Sequence, residues 1–294
     1  MNILNNIKIN FKKLMPDIAL YNYHYMRAKK KKKRKSLIFE VHIVEHCNLN
    51  CKACNNFSCL SDKSFLDIVE FEHDLKRLKE IFGERVEQIQ LLGGEPLLAD
   101  NLSDFCMCTR KIFSKAKIKI VTNGTLLMKQ SDILYKVCRE CNISFSVTRY
   151  PISFDYDSAK KFIENKGIDI DYGNIVEKTM SIFPVDPYGS KNPKKSFAIC
   201  DRANNCISLK HGKLYTCTMI PNIYLFNKTF NEQIPVTEND YIDIYKENDA
   251  DKILRRLVKP FPICAYCDPG HIINGIKWSV TKREKSEWVI RDDI

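Results

Sequence analysis

The chain has 294 residues, 44% hydrophobic and 28% charged, with a formal net charge of +11; this is the balance of a globular protein that can bury one sizeable core with an appendage. The sequence contains no run of eighteen apolar residues, which excludes an ordinary spanning helix, and its start lacks the apolar stretch and cleavage site of a signal peptide. A cytoplasmic location is expected, where thiols stay reduced. The thirteen cysteines therefore call for metal where they are grouped and for simple burial elsewhere.

Residues 1–36 mix Ile, Leu, Phe and Tyr with Lys and Asn. They include Lys29 to Lys35, an unbroken run that supplies seven of the eleven net positive charges. A solvated arm is one reading and attraction to a polyanion the other. No aromatic-basic RNA-binding pattern accompanies the run, so an anionic membrane surface is favoured and no nucleic-acid partner is expected. Residues 37–46 read as a strand, 65–83 as a helix stopped by Gly83, and 86–96 as a strand ending in a glycine turn. Helix is expected for 105–116, strand and turn for 117–125, helix for 132–141 and strand for 142–151. A helix at 158–167 and a strand at 168–174 follow. Strands spaced by helices argue for an α/β fold with a mostly parallel sheet. Cys106, Cys108, Cys138 and Cys141 fall on the helices and read as small buried side chains. Three prolines and a glycine in 183–195 mark a connection to a second module.

Cys47, Cys51 and Cys54 form a CxxxCxxC group directly after the first strand. Three thiolates can hold one corner of an iron–sulfur cube. A structural zinc needs four closed ligands, which His46 or Cys59 could complete. One strand–helix unit later comes "LLGGEPL", where Gly93 and Gly94 permit close backbone approach. Glu95 is a carboxylate at the carboxyl edge of the sheet, where ligands of α/β folds bind.

Together "CNLNCKAC" and "GGEP" closely resemble the radical S-adenosylmethionine (radical SAM) enzymes, over roughly residues 37–180. The resemblance implies a partial (βα)6 TIM-like barrel at 37–182 and a [4Fe–4S] cluster on Cys47, Cys51 and Cys54. SAM would chelate the open iron, with Gly93, Gly94 and Glu95 receiving its methionine amino group. A reductant such as flavodoxin or ferredoxin would drive SAM cleavage to a 5′-deoxyadenosyl radical. Ser146 matches a strand-four serine that touches SAM, with Thr148 as the alternative, and Asn123 lies at a strand end facing the same mouth. The residue before the third cysteine is usually aromatic; here it is Ala53, which leaves Phe57 as the candidate for packing adenine.

Residues 183–294 hold Cys200 and Cys217 in the form C-x11-G-x4-C, with Gly212 as a hairpin glycine, and then the pair Cys264 and Cys267. Two separated cysteine pairs also suit a zinc ribbon. The pattern resembles the short twitch form of the SPASM extension of radical SAM enzymes. That likeness implies a small β-hairpin-plus-helix module with a second [4Fe–4S] cluster on Cys200, Cys217, Cys264 and Cys267. Cys206 is left over, as a buried thiol, a substitute ligand or an active-site thiol.

Twitch-bearing enzymes of this size resemble aminocyclitol dehydrogenases and members found with surface-glycan biosynthesis. This implies oxidation of a hydroxyl-bearing carbon in a carbohydrate-type substrate, as a small molecule or a lipid- or nucleotide-linked sugar. Arg149, Tyr150 and Asp186 are the candidate polar groups at the barrel mouth. An epimerase using Cys206 as hydrogen donor is the close variant. Peptide modification ranks lower, because the 36-residue arm leaves no room for a peptide-binding domain. A zinc-holding, nucleic-acid-binding module is the non-enzymatic alternative.

Overall fold

Along the first strand, β1 (Leu37–Val44), Phe39, Val41 and Ile43 are all but sealed from solvent, because a period of two turns every second side chain toward the helical layer. The computed structural model describes residues 37–175, 180–200, 202, 203 and 206–289, together with Ala19 and Met26. The run Lys29–Lys35 lies outside them. From β1 the chain continues through α1 (Ile68–Phe82), β2 (Val86–Gly93), α2 (Leu102–Ile112), β3 (Lys117–Thr122), α3 (Asp132–Glu140), β4 (Ile143–Arg149), α4 (Tyr156–Asn165) and β5 (Ile170–Ile175). The five strands pair in parallel in the order β5-β4-β3-β2-β1. The helices start where side chains satisfy their first amides. Asp67 accepts from the N–H of Val69 and Glu70 at 2.9 and 3.0 Å, and Ser131 and Asp155 cap α3 and α4 in the same way. Gly83 ends α1 at φ +54°, as its position in the sequence implies.

The sheet does not stop at the expected boundary between residues 182 and 183. β6 (Met180–Ile182) leaves it, to be joined later by β10 (Ile273–Ile276) in an antiparallel pair. After α5 (Pro193–Ile199), β7 (Ile207–Lys210) pairs in parallel with the open side of β1, Glu40 opposite Ser208. β8 (Lys213–Tyr215) and β9 (Ile242–Asp243) extend it antiparallel into one eight-stranded sheet. The sixth parallel strand is thus supplied by the C-terminal part, and it covers a β1 edge that would otherwise expose unpaired amides. His211 and Gly212, both at positive φ, make the two-residue hairpin turn between β7 and β8. Asp74 of α1 accepts from the Gly212 N–H at 2.7 Å and from the Tyr245 hydroxyl at 2.5 Å, tying the hairpin to the first helix. Helices α6 (Ile223–Phe230) and α7 (Ala250–Leu257) complete the C-terminal part.

The face of the sheet turned away from α1 to α4 is polar. Ser146 and Lys119 both reach Asp171, at 2.7 and 2.5 Å, and Lys210 reaches Glu45 at 2.5 Å. The cysteine loop, the glycine pair and Asn123 follow the carboxyl ends of β1, β2 and β3, which brings them to one edge. Among the described residues no helix is long and apolar enough to cross a membrane.

Candidate active site

A cavity of about 450 Å³ opens at that carboxyl edge, and Cys47, Cys51, Cys54, Gly93, Gly94 and Asn123 all line it. Groups far apart in the sequence thus share one wall. Burial pushes the Cys47 thiol up to about 12 and the Cys51 thiol up to about 11. Cys59 is buried on the same wall. His46 instead turns outward, its Nδ1 accepting from the Ser64 N–H at 3.3 Å and its ring against Phe65.

The glycines are required by the chain's own backbone. A Cβ on Gly94 would lie 1.9 Å from the His46 carbonyl oxygen, and one on Gly93, at φ +143°, 1.9 Å from that of Val44. Their closeness lets the Gly94 N–H donate to Val44 at 2.8 Å and the Glu95 N–H to His46 at 3.0 Å. The Gly93 carbonyl accepts from Asn56 Nδ2 at 2.9 Å, and Asn56 also accepts from the Thr218 hydroxyl.

Glu95 is not on the cavity wall. Its wholly buried carboxylate accepts from the Thr122 hydroxyl, the Asn123 N–H and the Leu97 N–H at 2.6, 2.8 and 3.0 Å, locking the end of β2 to that of β3. Burial pushes its pKa up to about 7, against the pull of those three donors.

Asn123 donates to Asn48 Oδ1 at 2.8 Å and toward Cys47 Sγ at 3.7 Å, while Thr125 joins the two asparagines. Asn48, a spacer position of the cysteine motif, ties the loop beside Cys47 to the end of β3. On β4, Ser146 and Thr148 share one face of the pleat but differ in place along it: Thr148, nearer the carboxyl end, lines the cavity, whereas Ser146 is spent on Asp171. Arg149 points the other way, 3.4 Å from Asp157 and over the rings of Tyr156 and Tyr172. Tyr150 returns to the wall, where burial holds its phenol well above the ordinary value. Asp186 is not brought there; it accepts from the N–H groups of Tyr188 and Ser190 and from the Ser190 hydroxyl, shaping its own turn. Cys206 hydrogen-bonds Glu40 on the polar side of β1 and is likewise absent from the described wall. Phe57 is fully buried against Phe226 and Trp288, so it does not face the cavity in place of the residue at Ala53. The aromatic rings on the wall are Tyr150, Phe183 and Trp278.

The C-terminal part holds the cysteine loop in place. The Lys52 N–H donates to Ser279 at 2.9 Å and the Thr281 N–H to Asn50 at 2.8 Å. Trp278 Nε1 donates to Cys51 Sγ at 3.2 Å, and Trp288 Nε1 to the Cys54 carbonyl at 3.0 Å. The loop needs such support, since Asn50, Ala53 and Phe57 all sit at φ near +50°, a conformation that costs non-glycine residues roughly 1–2 kcal/mol each. Arg202 also reaches the wall, close enough to feel both cysteine groups: burial lowers its pKa, while ionised Cys200, Cys217, Cys267 and Cys54 would raise it.

The second set meets as well. Cys200 closes α5, Cys217 follows β8, and Cys264 and Cys267 flank the turn Pro262–Tyr266. All four line one otherwise apolar void of about 50 Å³. Burial pushes Cys217 up to about 11 and Cys264 up to about 12. Among the described residues no three His, Cys, Asp or Glu side chains close on a single metal-ion position. Each set instead arrays thiols around a space, and all-thiol donor sets fit iron–sulfur clusters by their chemistry.

Comparison with known proteins bears on the same region. Residues 41–172 match the model of the Radical SAM superfamily. A GTP 3′,8-cyclase of Clostridium botulinum (strain Hall) is 29% identical over 232 residues, covering 75% of this chain and 70% of that protein. One from Alkaliphilus oremlandii is 27% identical over 105 residues, 35% of this chain; the match spans only about a third, 33%, of that relative's length. Among solved structures, BtrN in complex with AdoMet and 2-DOIA is 17% identical and covers 86% of this chain and 98% of its own, with a TM-score of 0.47. The cysteine loop and the glycine pair, at one edge of the parallel sheet, both fall within the segment 41–172 that matches this model.

Proposed function

We propose that this radical SAM enzyme abstracts hydrogen from a carbohydrate-type substrate and oxidises a hydroxyl-bearing carbon. One observation carries the reading: Cys47, Cys51 and Cys54, the Gly93–Gly94 pair and Arg202, two residues from the second cysteine set, open on one cavity. In this reading Cys47, Cys51 and Cys54 hold the first [4Fe–4S] cluster. When bound, the cluster and SAM supply an electron and a 5′-deoxyadenosyl radical. Gly93 and Gly94 keep the edge clear for the methionine end, Asn123 and Thr148 offer polar contacts, and the mutually tilted rings of Tyr150 and Trp278 offer adenine an aromatic surface. Glu95 acts through the backbone it locks. Cys200, Cys217, Cys264 and Cys267 would hold a second cluster, which would supply an acceptor for the electron that oxidation leaves. Tyr150 is the polar candidate on the wall, since Arg149 and Asp186 are engaged elsewhere; its phenol, held protonated by burial, is suited to donate a hydrogen bond to substrate and not to act as the base. The position of Cys206 beside Glu40 favours dehydrogenation over epimerisation. The enzyme works in the cytoplasm with a flavodoxin- or ferredoxin-type reductant, and the Lys29–Lys35 arm brings it to anionic membranes that carry lipid-linked sugars.

A second reading follows from the GTP 3′,8-cyclase relatives, whose longer match extends beyond the barrel: ring closure on a purine nucleotide. Anaerobic reconstitution tests both. About eight irons per chain are expected, with 5′-deoxyadenosine formed on dithionite reduction. A product lighter by two hydrogens from a sugar substrate supports dehydrogenation, and an unchanged mass from GTP supports cyclisation. Stoichiometric zinc without SAM cleavage would sink both.

A further inference from the structure

Arg202 brings a part-buried cation to the cavity that no carboxylate on the described wall meets; Glu40 acts on it through space. Its guanidinium lies 3.6 Å from the centre of the Phe183 ring. With the Asn55 amide turned to satisfy both side chains, Asn55 Oδ1 accepts from both terminal nitrogens at 2.7 and 3.0 Å. Nε is buried and has no hydrogen-bond partner among the described residues. Lys52 is the other cation on the wall, and no Asp or Glu among the described residues joins them.

A guanidinium offers five donors in a rigid fork that matches carboxylate and phosphate oxygens two at a time. One amide oxygen answers only part of that demand; Glu40 and the cysteine groups act on the cation through space and leave its Nε donor unmet. Phe183 covers one face of the guanidinium plane, which fixes its edge. SAM brings a single carboxylate, which cannot meet the donors of both Arg202 and Lys52.

We propose that Arg202, with Lys52, receives an anionic oxygen group of the substrate, a phosphate or a carboxylate, in the part of the cavity bounded by Asn55 and Phe183. The substrate class is then an anionic metabolite, such as a phosphorylated or nucleotide-linked sugar. The proposal rests on the reading that SAM fills the rest of the cavity.

The test uses the full chain, reconstituted anaerobically, with inorganic phosphate as probe against chloride at matched ionic strength. Thermal unfolding reports phosphate binding, and calorimetry reports SAM affinity. In the wild type, phosphate is expected to raise the unfolding temperature in the presence of SAM, where chloride does not. Arg202→Gln should abolish the response while leaving SAM affinity within about twofold, or roughly 0.4 kcal/mol. Arg202→Lys should retain part of it, and Phe183→Leu, which keeps the charge but loses the stacking surface, should weaken it. An equal phosphate response in wild type and Arg202→Gln overturns the proposal. So does a tenfold loss of SAM affinity in Arg202→Gln with no phosphate response in wild type, which would assign Arg202 to the SAM carboxylate. An Arg202-dependent phosphate response in a chain that binds no SAM would keep the anion site and remove the radical SAM reading of the cavity.

Discussion

Trp278 donates its indole N–H to the Sγ of Cys51 at 3.2 Å, across 227 residues of chain. Its ring also lies 6.2 Å from that of Tyr150, on the same cavity wall. A hydrogen bond to a ligating sulfur stabilises the more electron-rich state of a cluster and raises its potential. Trp278→Phe keeps a ring and removes the donor. The expected outcome is unchanged iron content and a first-cluster potential lowered by about 1 kcal/mol, or ~40 mV for a one-electron couple. A redox titration followed by electron paramagnetic resonance measures it, and an unchanged potential would show that the N–H does not act on the thiolate.

Gly94→Ala tests whether the glycine pair serves the backbone. The added Cβ would sit 1.9 Å from the His46 carbonyl oxygen, and no flexible side chain is there to yield. The cysteine loop must then move away from β2. A loss of roughly 3 kcal/mol or more is expected in urea unfolding, with iron retention falling in parallel. Full stability with lost SAM binding would instead mark Gly94 as purely a ligand contact.

What the sequence made legible was local. CxxxCxxC, GGE and the alternation of strands and helices each lie within one strand–loop–helix unit, so short-range pattern sufficed to place them at one sheet edge. The parity of β4 was not legible. "FSVTRYP" belongs to a strand with sheet neighbours on both sides and gives no clean alternation, so Arg149 looked as well placed as Thr148 and Tyr150, and nothing local showed that Ser146, on their face, would be taken by Asp171. Trp278, Trp288 and Arg202 reach the site only because β7 pairs with β1 and the chain after β10 crosses the cysteine loop. No local spacing encodes that long-range pairing. The one visible signal was the two tryptophans following "CAYC".

Glu95 gives a pH dependence with a definite sign. Its folded pKa is about 7 against an ordinary 4.5, because burial disfavours the carboxylate. Between these values the folded chain holds the proton that the unfolded chain releases, so this contribution to stability declines as pH rises through the window. Glu95→Gln cannot ionise. The wild-type stability minus that of the variant should therefore fall from low to neutral pH, by on the order of 3 kcal/mol. A constant cost of about 1–2 kcal/mol, from an amide N–H2 facing the Asn123 N–H, is added at every pH. Urea unfolding of both proteins across the window separates the two parts, and a flat difference would mean that the three donors keep Glu95 ionised throughout.

Trp288 is almost fully buried, 6.0 Å from the Phe57 ring and 5.7 Å from that of Phe230, and it donates to the Cys54 carbonyl. Trp288→Leu opens a void and removes the donor. A loss of about 3 kcal/mol is expected, read from the urea midpoint of the metal-free chain. Because Phe57 sits within the cysteine loop, the same change should speed iron loss from the reconstituted protein; unaltered loss would uncouple the aromatic cluster from the loop.

The last pair of variants separates ligand from bystander among the C-terminal cysteines. Cys267 shares the apolar void with Cys200, Cys217 and Cys264, whereas Cys206 lies beside Glu40. If the void holds a cluster, Cys267→Ala should lower iron from about eight to about four per chain. SAM cleavage by the first site should persist while substrate oxidation stops. Cys206→Ala should leave the iron content unchanged, because its thiol is directed to Glu40 and away from the void. Iron analysis and the spin signal of the reduced protein distinguish these outcomes. Iron lost from Cys206→Ala and kept in Cys267→Ala would reverse the assignment and make Cys206 the fourth ligand.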